Sequence, residues 1–458
     1  MAPELLKLDL LSVFYGHLNA SLVPTPPASG TSPIASDMGK IDCAWVSLVA
    51  LTKLGNVIYP PHPLVAVADI EKPSLGAWEG VFKWCLFMYT TRVVSDGTPI
   101  APKLRRSAMD IIGGVLYSLS RSNEIRKVMA DTPGSIELAT RLWIIEDEPA
   151  VPSGLSIPVN SAALDGLLTI PDWKPEKSVG ENDTLKTPKQ QEEEDKLETT
   201  AISRREAARN MLNRVVAAAG GSPAHVVEMA LSRLRTATST NARMNEPRTP
   251  IFLDLIGHLS RVSDHQFRLG FLSEGMTALA AKLAVKAVGL LDALSASGGG
   301  RASQIALHRS NPAVSPPEEG LHGALIASLG FLCNTLESTD GFTWVIKAVS
   351  AGLLQAWVGA ARHMHRFDNR EDADMIISIL NKIVPKYMVY KSVVTNVESA
   401  IRKINEDGAA QDWKDPEAMK VWKTFQKMTL ERYMIGVHMK MVKNKAVICD
   451  NFKVKIVH

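Results

Sequence analysis

Residues 208–234 read ARNMLNRVVAAAGGSPAHVVEMALSRL. Ala208, Met211, Leu212, Val215, Val216 and Ala219 recur at helical spacing and so share one face of a 3.6-residue helix. Gly220-Gly221 supplies a stop, Ser222 a cap and Pro223 a first-turn residue. Val227, Ala230, Leu231 and Leu234 then resume the stripe, which makes the stretch a helical hairpin. The same pattern spreads outward. Met276, Leu279, Ala280, Leu283, Ala287, Leu290, Leu291 and Leu294 form a longer stripe, and Leu325, Leu329, Leu332 and Leu336 form another. Alternation of the strand type is nearly absent. Apolar helices recur in pairs, Met109 to Leu119 with Ile136 to Ile145, and Leu321 to Leu336 with Trp344 to Ala361. Each pair spans about 35–40 residues, the unit size of armadillo and HEAT repeats. The expected fold is all-α, either an irregular armadillo- or HEAT-like α-solenoid or stacked helical bundles. Trp344, Ala348 and Leu353 are expected on one buried helix, since apolar residues surround it on nearly every side.

The chain has 458 residues, of which 46% are hydrophobic and 22% charged, and this excludes disorder throughout. Its net charge of +3 is too small to imply polyanion binding by the whole chain. Val23 to Ser36, rich in Pro, Ser, Thr and Gly, reads as a loop after a short first helix, so residues 1–170 form an N-terminal helical region. From Pro171 to Ser203 aliphatic residues are scarce and Gln190-Gln191-Glu192-Glu193-Glu194-Asp195 is strongly acidic. Residues 171–203 are therefore expected to be a disordered acidic linker, followed by a C-terminal helical region over 204–448. Breaks at Ser295 to Ser303 and Asn311 to Pro317 divide that region without separating domains.

Lys7 and Asp9 interrupt the only apolar run near the start, and the 14 residues from Ala348 to Ala361 fall short of a membrane span. A cytoplasmic or nuclear protein without membrane contact is the expectation. Cys43, Cys85 and Cys333 lie in apolar helical patterns and read as reduced structural thiols, with Cys449 apart from them. Asn19-Ala20-Ser21 and Asn182-Asp183-Thr184 match the glycosylation acceptor pattern but have no chemistry to serve without a secretory route.

Arg362-His363-Met364-His365-Arg366 has a His-x-His spacing that suits a metal on an extended backbone. On a helix the two rings point about 200° apart, so the cluster reads as cationic side chains at a helix C-terminus. Gly298-Gly299-Gly300-Arg301-Ala302-Ser303 lacks the strand and the Lys-Ser/Thr of a phosphate loop and reads as a connector. Nucleophile elbows, His-Glu-x-x-His, paired Cys-x-x-Cys and dinucleotide Gly patterns do not occur, and no enzyme, cofactor, metal or catalytic residue is expected. From Glu417 onward, Lys420, Lys423, Lys427, Arg432, Lys440, Lys443, Lys445, Lys453 and Lys455 oppose only Glu417, Glu431 and Asp450. Such a basic helix can track phosphates, or be a solvated face opposite Val421, Phe425, Met428 and Ile435.

Trp422-Lys423-Thr424-Phe425, then Glu431-Arg432, then Cys449-Asp450-Asn451, resemble fungal MYND-type zinc-finger proteins, in which a long helical region leads into a finger opening with Cys-Asp-Asn. The likeness covers about forty residues. It implies that 449–458 is the remnant of a finger start, with Cys449 as its first ligand. A structural zinc takes four ligands, and Cys449 with His458 cannot close a site, so zinc is not expected. The combined expectation is a protein-interaction scaffold with a protein partner, or, as the alternative, a nucleic-acid-associated regulator using the basic C-terminal helix.

Overall fold

A computed structural model of the chain describes residues 10–25, 35–58, 66–94, 100–148, 157–170, 188–239, 248–296, 317–338, 341–367, 369–408 and 413–441. Among the described residues there is no strand, and the fold is all-α. They divide into two compact units, one reaching to residue 170 and resuming over 188–229, the other beginning at 230. In each, the main helix pairings join elements one to three positions apart along the chain, the local order that a solenoid and a stack of small bundles share.

The first unit holds α1 Leu10–His17, α2 Ala35–Leu51, α3 Val67–Arg92, α4 Pro102–Ser120, α5 Asn123–Asp131, α6 Ser135–Ile144, α7 Val159–Leu168 and α8 Pro188–Ala218. Helix α9, Pro223–Ser239, spans the division. Pro102 opens α4, and Met109, Ile112, Val115, Leu116 and Leu119 bury its face against α2, α3, α5, α6 and α7. Glycine lets α4 and α7 approach closely: a Cβ on Gly113 would stand 2.1 Å from Asn160 Oδ1. The buried Glu146 carboxylate caps α7, accepting from the Asn160 and Ser161 amides at 2.9 and 3.4 Å and from the Ser161 hydroxyl at 2.5 Å. Ser122 caps α5, a helix the sequence reading passed over between Met109–Leu119 and Ile136–Ile145.

The expected linker needs correction. Residues 171–187 lie outside the described set, but from Pro188 the backbone is already helical, through the acidic run and on to Ala218. The packed half of α8 supplies the reason, since Ala208, Leu212 and Val215 are wholly buried. Arg214 adds a clamp, its Nε and Nη2 donating to the two Glu137 oxygens at 2.8 Å each, and further N–H groups donating to the Ala130 and Thr132 carbonyls. Once that half is fixed, Glu, Gln and Lys upstream extend the helix at little cost. Residues 204–229 thus belong to the first unit, whereas the sequence pattern predicts them in the C-terminal region. The hairpin turn itself is as expected, with Gly220 and Gly221 at φ of 81° and 82° and the Ser222 hydroxyl accepting from the His225 amide.

The second unit contains α10 Thr249–Ser260, α11 Gln266–Ser273, α12 Met276–Ala296, α13 Pro317–Glu337, α14 Phe342–Ser350, α15 Leu353–His363, α16 Arg370–Ser378, α17 Lys391–Glu406 and α18 Pro416–Met441. Helix α12 packs on α13, α14 and α15, and α17 packs on α14, α15 and α18. The run from Trp344 to Ala361 is not one helix. Gly352, at φ 107°, separates α14 from α15, and the two meet at 66°. Ala348 and Leu353 are buried on different helices, and Trp344 is half-buried with Lys347 Nζ 4.5 Å from its ring centroid. The enclosed indole is Trp357, whose Nε1 donates to the Ile376 carbonyl at 2.7 Å. A π-helical turn, Ile379–Ile383, precedes Pro385, which has no N–H to donate. No single described helix is long and apolar enough to cross a membrane.

Candidate functional site

Helix α18 lies against α17 and the π-helical turn, and its two halves are built differently. In the first half Asp415 Oδ1 accepts from the Glu417 and Ala418 amides at 2.9 and 3.0 Å and caps the helix. Ala418, Trp422, Phe425 and Thr429, one helical stripe, are buried. Trp422 stacks on Trp357 with 6.1 Å between centroids and 19° between planes, and Trp413 completes the cluster at 6.1 Å from Trp422 and 5.8 Å from Trp357. Arg432 marks the end of this closure, donating from Nη1 to the Pro385 carbonyl at 3.0 Å.

Beyond it the inward positions are Tyr433 and Gly436, and a Cβ on Gly436 would meet no atom within 4 Å. A groove of about 360 Å³ opens there between α18 and the start of α17. Met388, Val389, Val394, Tyr433, Ile435 and Val437 give it mostly apolar walls, Thr395 adds a hydroxyl, and among the described residues Lys391 and Arg432 are its charged lining groups. Val389 and Ile435, 49% and 59% exposed, stand at its lips. Two large apolar side chains so exposed on one groove depart from the scattered singles of an ordinary surface. The other flank of the α17–α18 pair holds a second groove, of about 550 Å³, lined by Glu398, Arg402 and Glu406 with Ile401, Asn405 and Leu430. Its charges have both signs.

The sequence pattern predicts Val421, Phe425, Met428 and Ile435 as the apolar stripe opposite the lysines. Only Phe425 is buried there, while Trp422 carries the packing and Ile435 faces solvent. The lysines do form one face: Lys420, Lys423 and Lys427 are exposed, with Lys427 Nζ 4.0 Å from Glu431. Helical spacing pointed to the lysine face, but the groove depends on where α17 begins, which spacing does not encode.

The Arg362–Arg366 cluster closes α15. His363 is buried, with Nε2 2.9 Å from Asp292 Oδ1, while His365 is exposed, so the two rings diverge as helical geometry requires. Burial holds His363 below the ordinary histidine range, against the opposing pull of Asp292. Arg362 donates to Asp292 Oδ2 at 2.5 Å and Arg366 to Glu318 Oε1 at 2.9 Å. Among the described residues no three His, Cys, Asp or Glu side chains gather as a metal site. Cys85 and Cys333 are buried, and burial pushes their thiols up to about 12 and about 11. Cys43 departs from expectation, because it is exposed on α2 while Ile41, Ala44, Leu48 and Leu51 form the inward stripe. Asn19 accepts from the Ser21 amide and hydroxyl and caps the turn Ala20–Leu22. Asn182, the loop at Gly298 and residues 449–458 lie outside the described set.

Fold and surface together define a class, an all-α protein of two units whose last described helix is sealed at one end and open at the other. Comparison with known protein families, with curated proteins and with solved structures finds no match.

Proposed function

We propose that the chain is a non-enzymatic protein-interaction scaffold, cytoplasmic or nuclear, in which irregular armadillo-like stacking of helices presents grooves to a protein partner. One observation carries this reading: Val389 and Ile435 stand exposed at a groove whose walls are mostly apolar. Among the described residues the groove lining offers two cations and no paired base and nucleophile, which suits binding better than catalysis. The resemblance of Trp422–Phe425, Glu431-Arg432 and Cys449–Asn451 to MYND-type proteins, whose fingers bind proteins, agrees with it. Affinity capture with the full chain tests the reading. Partners held by the native chain are expected to be lost from the Val389→Glu/Ile435→Glu variant, whose changes sit on exposed positions and leave the core intact. An identical set captured by both chains overturns the proposal.

The second reading, a nucleic-acid-associated regulator, draws on Lys420, Lys423 and Lys427 along one exposed face. It requires binding to a single-stranded oligonucleotide that weakens when these three lysines become Gln and falls steeply with salt.

A further inference from the structure

We infer that the groove at the open end of α18 takes an acidic amphipathic helix of a partner protein, with aliphatic residues on one face and Asp or Glu on the other. This rests on the scaffold reading and names the chemistry of its partner. The walls favour apolar side chains, because Met388, Val389, Val394, Ile435 and Val437 have no hydrogen-bonding side-chain group to offer, and the Thr395 hydroxyl and the Tyr433 phenol are neutral. The groove lies alongside a helix and is open at its lips, Val389 and Ile435, so a segment can lie along it as well as insert into it.

Charge then selects the occupant. Among the described residues Lys391 and Arg432 border the groove and no carboxylate lines it. Lys391 is exposed and forms no ion pair among the described residues, so its field is open to an incoming carboxylate. The second groove, where Glu398 and Glu406 accompany Arg402, has no such bias. The same argument disfavours two occupants from the chain itself. Residues 442–458 carry Lys443, Lys445, Lys453 and Lys455 against Asp450 alone, and a second copy would bring its own Lys391 and Arg432 to the same rim.

The test titrates the full chain, by fluorescence anisotropy, against three synthetic peptides of equal length. One is an acidic amphipathic helix, one keeps its apolar face but replaces every acid by Lys, and one scrambles the acidic sequence to abolish the apolar face. The acidic amphipathic peptide is expected to bind at least about tenfold more tightly than either of the others, and to weaken as salt rises. Lys391→Glu, Ile435→Glu and Gly436→Leu, the last filling the groove from a helical position with open space, should each weaken it by about tenfold. Unchanged melting temperatures establish that these chains remain folded. Equal binding of the basic peptide, equal binding of the scrambled one, no binding at all, or tighter binding of an oligonucleotide at the same surface each overturns the inference. Affinity capture separates this from the scaffold reading. If Val389→Glu/Ile435→Glu abolishes capture while no acidic peptide binds, the inference fails and the scaffold stands. If capture is unaffected, the scaffold reading fails, and the titration still decides the chemistry of the groove.

Discussion

The two halves of α18 carry similar numbers of large apolar residues and put them to opposite use. In the first, Trp422 and Phe425 fall on the face turned to α17 and α15 and vanish from solvent. In the second, Leu430, Met434 and Ile435 fall elsewhere on the helix and the inward positions go to Arg432, Tyr433 and Gly436. Hydrophobic content is therefore no guide to burial on this helix. Position around the axis, and whether a neighbour exists at that height, decide it.

Substitutions along α18 can break this contrast, and the strongest is Trp422→Ala. Removing an enclosed indole that stacks on Trp357 should cost about 3–5 kcal/mol in chemical denaturation. A loss below about 1 kcal/mol would put the sealed half on the same footing as the open one. Acid should also soften the floor under the sealed half. His363 ends α15, the helix that carries Trp357, and its folded-state affinity for protons is lowered by burial. The unfolded chain then binds more protons as pH falls below the ordinary histidine value of about 6.5, so stability is full above that value and declines beneath it. The melting temperature should drop between pH 7.5 and 5.5, and His363→Gln should flatten the profile; an equal slope in both chains would assign the effect to other groups.

Smaller effects belong to the open half. Gly436→Ala should stabilise by about 0.5–1 kcal/mol, because the added methyl meets no neighbour and glycine is a poor helix former. Destabilisation would show that the groove is tighter than its geometry. Ile435→Ala, at a position 59% exposed, should change stability by less than about 0.5 kcal/mol. A cost of several kcal/mol would mean that the residue is covered in solution.

Much of the fold could be read directly. The stripe at Ala208, Leu212 and Val215, the Gly220-Gly221 stop and the Ser222 cap all stand where periodicity and turn chemistry put them. The errors have a common origin in facts that lie off the local pattern. Gly352 breaks a helix because its backbone is left-handed, yet a glycine inside an apolar run reads equally well as a tolerated one. The acidic start of α8 has no apolar face of its own and is helical in continuation of a half that packs. Cys43 looks like its apolar neighbours until the inward stripe of α2 is fixed by what α2 touches.

The sequence by itself determined the helical class, the hairpin at 208–234 and the lysine face of α18, since each follows from residue type and spacing within a few turns. Only the tertiary structure decided that 204–229 join the first unit, that Trp357 and Trp422 form the enclosed aromatic stack, and that a groove opens beyond Arg432. Spacing assigns a residue to a face of its own helix. What that face meets depends on where a helix far along the chain begins or ends, and the start of α17 at Lys391 sets the lip of the groove.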